Sequence, residues 1–288
     1  MIRALVGCLL AWSALTGCSG YAGTPAAGPT TPSAAAVPLP SASESASGSS
    51  SASTLRAPPP RPARRACYLL SFDQALSPVT RVAARPCDRA HTARTVHVGS
   101  VGDLVEGRVG SIDSPRVQRA VAQECPRRFA SFLGGPEQAR RLSMFRPIWF
   151  TPTLAEAEQG QDWYRCDLIA LAGEGRLLPL EGKLEGLLGR LGWKPTYGLC
   201  ATASPGAPAF RRVACGRDHT WRALMTVPFT ARDYPGTAIV RARGDEPCTA
   251  VARAVAPDPL DFQWGFEWPT AEQWADGIRW GVCWAPEA

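Results

Sequence analysis

Lysine is almost missing from this chain: of 31 basic residues only Lys183 and Lys194 are lysines, and the formal net charge is a modest +6. A balance of that size points to weak attraction to acidic polymers at most, and nothing in the sequence resembles a nucleic-acid module, so nucleic acid is excluded as a partner. Histidine is scarce too, with only His91, His97 and His219. There is no G-x-S-x-G, no H-E-x-x-H, and no carboxylate that recurs beside the histidines. These absences argue against an enzyme and leave a secreted hydrolase as a distant alternative. No C-x2-C pair occurs, which removes the commonest zinc spacing and any C-x-x-C redox role. After the N-terminus no apolar run reaches 18 residues, so no helix is expected to cross a bilayer.

What is present begins with an address. Met1-Ile2-Arg3 carries one positive charge, and the apolar run Ala4 to Leu15 is too short for a span and suits a secretory signal. It ends Leu15-Thr16-Gly17-Cys18-Ser19, which looks like a bacterial lipobox with Cys18 as the acylated residue. Two or more acyl chains on Cys18 would make a durable anchor, so lipid would be the chain's sole hold on the membrane. Residues 19–66 are nearly all Ser, Ala, Pro, Gly and Thr, too polar to bury a core, and read as a mobile tether. The flexible-chain relation gives it a span of roughly 35–40 Å. The resulting division is a lipoprotein signal over 1–18, a tether over 19–66, a first module over 67–171, a connector over 172–197 and a second module over 198–288.

The modules are assigned because the chain repeats itself. Cys87-Asp-Arg-Ala-His-Thr-Ala-Arg94 and Cys215-Gly-Arg-Asp-His-Thr-Trp-Arg222 both fit C-x-R-x-H-T-x-R. Pro152-Thr153 leads to Gly160, Trp163 and Cys166 at the same spacings by which Pro269-Thr270 leads to Gly277, Trp280 and Cys283. Each block has one further Cys before the first motif, Cys67 or Cys200, and one between the motifs, Cys125 or Cys248. That is a tandem duplication of a unit of roughly 100 residues, a size suited to one small core.

Cys67–Phe72, Val79–Arg85 and Thr95–Val101 read as strands, and Ser114-Pro115 opens a helix that buries Val117, Val121, Cys125, Phe129 and Phe132. Glu246-Pro247 opens the counterpart with Cys248, Val251 and Val255. A short helix after each Pro-Thr and a closing strand, Trp163–Leu171 or Trp280–Trp284, complete an α+β module with a mainly antiparallel sheet. In the connector, Leu180, Leu184, Leu187, Leu188 and Leu191 have helical spacing. Gly182, Gly186 and Gly189 oppose a stable helix, and an ordered strip across both modules is the alternative.

With Cys8 and Cys18 in the signal segment, eight cysteines remain of ten. An exported chain favours disulfides, and identical closure of both modules leaves three patterns. The one favoured, from Cys67 and Cys87 on successive strands and Cys125 on a buried helix face against the closing strand of Cys166, is Cys67–Cys87, Cys125–Cys166, Cys200–Cys215 and Cys248–Cys283. Metal ligation by Cys87-x3-His91 and Cys215-x3-His219 is the alternative, but it needs reduced thiolates outside the cytoplasm. The expectation is no metal and no cofactor. His91 and His219, with Arg89, Arg94, Arg217 and Arg222, are candidate binding residues; the competing reading ties each imidazole to the turn after its Cys. Trp264, Trp268 and Trp274 have no Trp counterpart in the first module and are either a stacking surface or core.

This order of strand Cys, Cys-x3-His turn, helix Cys and Pro-Thr…Gly-x2-Trp-x2-Cys resembles the septum formation domain family of actinobacteria, here as two tandem copies. Pro86-Cys87 and His91 keep part of the family's Val-Pro-Cys-x2-Pro-His turn, with Ala90 and Asp218 standing where Pro is usual. Trp274-Ala-Asp-Gly277 keeps its Trp-x2-Gly approach to the last Cys, where the first copy has Ala157. The resemblance implies a cell-envelope protein, on the extracytoplasmic face of the membrane, with a role attached to cell division. The expected function is non-enzymatic binding or scaffolding of an envelope or division-site protein, with cell-wall glycan as the alternative ligand.

Overall fold

The computed structural model describes residues 60–107 and 109–287. Cys18, the signal segment and the tether up to residue 59 lie outside the described residues. Among those described, no helix is long and apolar enough to cross a membrane.

In the first half, Cys67–Tyr68 (β1), Ala93–Ser100 (β2), Phe145–Phe150 (β3), Trp163–Gly173 (β4) and Arg176–Leu177 (β5) form an antiparallel sheet. Its order is β1-β2-β4-β3, with β5 folded back on β4. Four helices accompany it: Phe72–Leu76 (α1), Pro115–Leu133 (α2), Glu137–Arg141 (α3) and Leu154–Glu158 (α4). The Ser114 hydroxyl accepts the Val117 amide and Pro115 takes the first helical position, so α2 starts where a cap and a fixed φ coincide. Val117, Val121, Cys125, Phe129 and Leu133 then recur every fourth residue and bury one face. Two expected strands are corrected. Only the first two residues of Cys67–Phe72 pair, because Ser71 and Gln74 form a reciprocal cap that turns the chain into α1. Val79–Arg85 is no strand: its one ladder contact is Arg85 opposite Cys67, and of its apolar residues only Val82 packs on the core.

In the second half, Leu199–Ala201 (β6), Arg212–Ala214 (β7), Trp221–Pro228 (β8), Gly265–Glu267 (β9) and Trp280–Pro286 (β10) form a second antiparallel sheet, ordered β7-β6-β8-β10-β9. Its helices are Lys194–Tyr197 (α5), Thr237–Ala242 (α6), Asp245–Val255 (α7) and Ala271–Ala275 (α8). Thr153 and Thr270 cap α4 and α8 with Glu156 and Gln273 in the same reciprocal box. Gly160 and Gly277 then leave those helices at φ 88° and 86°, where a side chain would be strained.

The two sheets share one register. Cys67 lies opposite Arg94, and Cys200 opposite Arg222. Cys166 lies between His97 and Trp149, and Cys283 between Met225 and Phe266. Both central ladders slip at the same place, leaving Val96 and Leu224 as the bulged residues. The disulfides join Cys67 to Cys87, Cys125 to Cys166, Cys200 to Cys215 and Cys248 to Cys283.

The largest apolar cluster belongs to neither half alone. Phe129, Leu133, Leu168 and Ala170 from the first half meet Leu199, Ala223, Val282 and Trp284 from the second. Between them runs the connector, an ordered strip whose Leu178, Leu180, Leu184 and Leu188 are buried in the same cluster. Its glycines permit the turns: Gly182 and Gly186 take φ 70° and 68°. Isolating either half would expose this seam.

Candidate functional site

The repeated motif builds a turn. His91 Nδ1 lies 2.9 Å from the Arg89 carbonyl and His219 Nδ1 lies 2.6 Å from the Arg217 carbonyl. A carbonyl only accepts, so each imidazole donates through Nδ1. The Thr92 hydroxyl donates to Leu70 O at 2.7 Å, and that of Thr220 to Thr202 O at 2.9 Å, tying each turn to the neighbouring chain. Arg89 and Arg217 are exposed.

The motifs then diverge. In the second half His219 Nε2 and Arg222 Nη1 hold the two oxygens of Glu287 at 2.9 and 3.2 Å. Partial burial disfavours the His219 imidazolium. The Arg217 carbonyl and the Glu287 carboxylate outweigh that and raise its pKa above 6.5. In the first half Ala170 occupies the register position of Glu287, and Arg94 instead lies 5.8 Å from the Phe132 ring with its Nε buried and unpaired. Cys200, Cys215 and His219 place ligand-type atoms within 4.8 Å of one another. The two sulfurs are bonded to each other, however, and a disulfide sulfur is a poor ligand.

A cleft of about 430 Å³ opens between the two halves. Its first wall comes from α2, α3 and β3 and carries Phe129, Arg140, Arg141, Phe145 and Arg146. Its second wall carries Arg212, Glu267, Trp268 and Trp280. Arg212 pairs with Glu267 at 2.8 Å and Arg141 with Glu137 at 2.7 Å, while the Arg141 guanidinium stacks 4.2 Å from the Trp280 ring. Arg146 is different. Its Nη1 donates to the Ser143 and Phe145 carbonyls, but among the described residues no carboxylate lies within ion-pair distance of it. Desolvation and the neighbouring Arg212 push its pKa down to about 10, which leaves it cationic at neutral pH. The cleft is thus an aromatic-walled cavity holding a half-buried cation without a counter-ion.

The three tryptophans singled out from sequence do not form one surface. Trp268 lines the cleft. Trp274 is corrected to core: it is 3% exposed, donates Nε1 to Arg232 O at 3.1 Å, and packs on Phe229 and Tyr234. Trp264 packs beside the Cys248–Cys283 bridge. Sequence reasoning missed Arg141, Arg146 and Arg212, and gave Trp280 no role beyond the start of the closing strand. The one available signal was Arg146 inside the otherwise apolar run Phe145-Arg-Pro-Ile-Trp-Phe150.

No match was found among curated proteins or solved structures. The septum formation family model matches residues 64–263, a single stretch that takes in all of the first sheet and the second sheet as far as α7. With two thirds of its length inside that match, the chain belongs to the septum formation family.

Proposed function

We propose that this is a non-enzymatic binding protein of the cell envelope, linked to septum formation and held at the extracytoplasmic face by a lipid on Cys18. Family membership supports the link to division. The lipobox-like Leu15-Thr16-Gly17-Cys18, the polar tether and the four disulfides support the location. The common register and bulge of the two sheets support an origin by tandem duplication. The observation that carries the binding function is the cleft between the halves, where Arg146 has no counter-ion. The motif histidines, each bonded to a backbone carbonyl, serve the turns, which is the reading that competes with ligand contact. The partner is an envelope or division-site protein or a wall polymer, and Trp268 with Trp280 in the cleft wall favours the polymer.

Capture from envelope extract with full-length protein tests the site. Arg146→Gln should reduce what is captured while costing no more Tm than the loss of its Ser143 and Phe145 carbonyl bonds, a few degrees, and undiminished capture would remove the cleft from the function. Cys18→Ala should move the protein from the membrane to the soluble fraction, and its retention on membranes would sink the anchor.

A further inference from the structure

We propose that the cleft between the two sheets binds an anionic saccharide, the sugar ring lying on the Trp268–Trp280 wall and its acid group taken by Arg146. This rests on the reading of the cleft as the ligand site, and adds the chemical class of the ligand.

The charge pattern selects an anion. Four arginines and two glutamates line the cleft, and both glutamates are already engaged, Glu137 by Arg141 and Glu267 by Arg212. Arg140 directs Nη1 to the Gly135 carbonyl. Among the described residues Arg146 directs only Nη1 to protein oxygens; its Nε and Nη2 donate to no protein acceptor there and are not fully buried. A planar guanidinium with two free donors matches a carboxylate or phosphate in two-pronged geometry. The Nε of Arg141, buried without a partner at the same wall, adds to the positive field.

The walls select a ring. Trp268 and Trp280, each only partly buried, supply the flat apolar surface on which the C–H face of a sugar can stack; Arg141 covers one face of Trp280, and Phe129 and Phe145 form the buried floor beneath. At about 430 Å³ the cavity accommodates one or two rings, near the lower end of small-ligand sites. An extended peptide fits less well. Three edge strands border the cleft: β3, which carries Pro147, β9, which runs into Trp268-Pro269, and the three-residue β7, which contributes Arg212. Proline lacks the amide that would pair with an added strand.

The test is titration calorimetry of the full chain with two disaccharides that differ in one acid group. One is N-acetylglucosaminyl-N-acetylmuramic acid; the other is N,N′-diacetylchitobiose, which lacks the lactyl carboxylate. The carboxylated sugar should bind about tenfold or more tightly than diacetylchitobiose, as a charge-assisted bidentate contact requires. Arg146→Gln should abolish that preference in a chain that still unfolds cooperatively, and Trp268→Leu should weaken both sugars. If Arg146→Gln does not fold, Arg146→Lys, which keeps the charge and loses the fork, should narrow the preference. N-acetylglucosamine 1-phosphate binding as well as the carboxylated sugar would support the same anionic class and name phosphate as its acid. Equal affinity for both disaccharides, or no binding of either at about 10 mM, a weak-binding limit, overturns the saccharide assignment. If envelope capture still depends on Arg146 in that case, the cleft stands as the site and only the ligand class falls.

Discussion

β4 and β10 occupy equivalent places in their sheets, yet β4 carries Arg165 and Asp167 at the register positions where β10 carries Val282 and Trp284. In the first half the Arg165 guanidinium sits between the Tyr68 and Phe150 rings, 4.0 and 4.5 Å from their centres, and lies 2.9 Å from Asp167. Thr95 donates to the other Asp167 oxygen at 2.8 Å. Complete burial raises the Asp167 pKa, opposed by Arg165 and Thr95. In the second half the same face is apolar, with Phe210 edge-on to Trp284. The difference comes from what lies above each face. In the second sheet it meets the connector and the first half, so it is part of the central seam. In the first sheet it meets only a thin layer around α1, where a buried ion pair between aromatic rings fills the space, with Arg165 Nε and Nη2 and Asp167 Oδ2 making no well-aligned hydrogen bond.

The sharpest way to break this comparison is to remove the cation. Arg165→Leu leaves Asp167 buried and uncompensated and should cost about 3–5 kcal/mol in urea unfolding. Arg165→Val combined with Asp167→Leu gives the first sheet the apolar character of the second and should recover most of that loss. A single-variant cost below about 1 kcal/mol would show that Asp167 protonates cheaply in the fold and that the pair is not a structural unit.

The bridges test the equivalence directly. Cys125–Cys166 spans 41 residues and Cys248–Cys283 spans 35. In the chain-entropy picture their double Cys→Ala variants should each lose about 4 kcal/mol and differ from one another by only ~0.1 kcal/mol. Unequal losses would mean that the halves unfold separately despite the shared seam. Non-reducing peptide mapping should meanwhile find no bridge joining residues 67–171 to 198–288.

The histidines sharpen it at smaller scale. His91→Ala and His219→Ala each remove one imidazole-to-carbonyl bond and should each cost about 1 kcal/mol, a Tm drop of roughly 2–4 °C for a domain this size. The smallest effect is in pH and belongs to the second half. The folded-state pKa of His219 is raised above 6.5, so the stabilisation is complete below pH 6.5 and is lost as pH rises through the folded-state value. Tm should therefore fall slightly from about pH 6 to about pH 8, and Glu287→Gln should flatten that profile. A flat wild-type profile would remove the Glu287 clamp as a feature of solution.

Much of the scaffold was legible because it is local. Ser114-Pro115 marks a helix start by side-chain capping and fixed φ, and α2 follows with its four-residue apolar spacing. The Pro-Thr motifs announce α4 and α8 because Thr bonds the amide three residues on. The repeat of four cysteines made pairing within each half the expectation, and the structure joins those pairs. Val79–Arg85 misled because β-branched residues alone do not make a strand without a partner edge. Trp274 misled because an unrepeated aromatic looks like surface until the loop holding Phe229 and Tyr234 covers it.

By itself the sequence determined a cysteine-framed α+β pattern, its helix starts and its closing strands, since caps, periodicity and spacing act over a few residues. Only the tertiary structure decided how the connector is used, which face of each sheet is central, and that Arg146 and Trp280 share a cleft. Those outcomes depend on long-range packing: Leu178, Leu180, Leu184 and Leu188 are buried in the cluster that both sheets share, and Arg146 faces Arg212, Trp268 and Trp280 of the second half across the cleft.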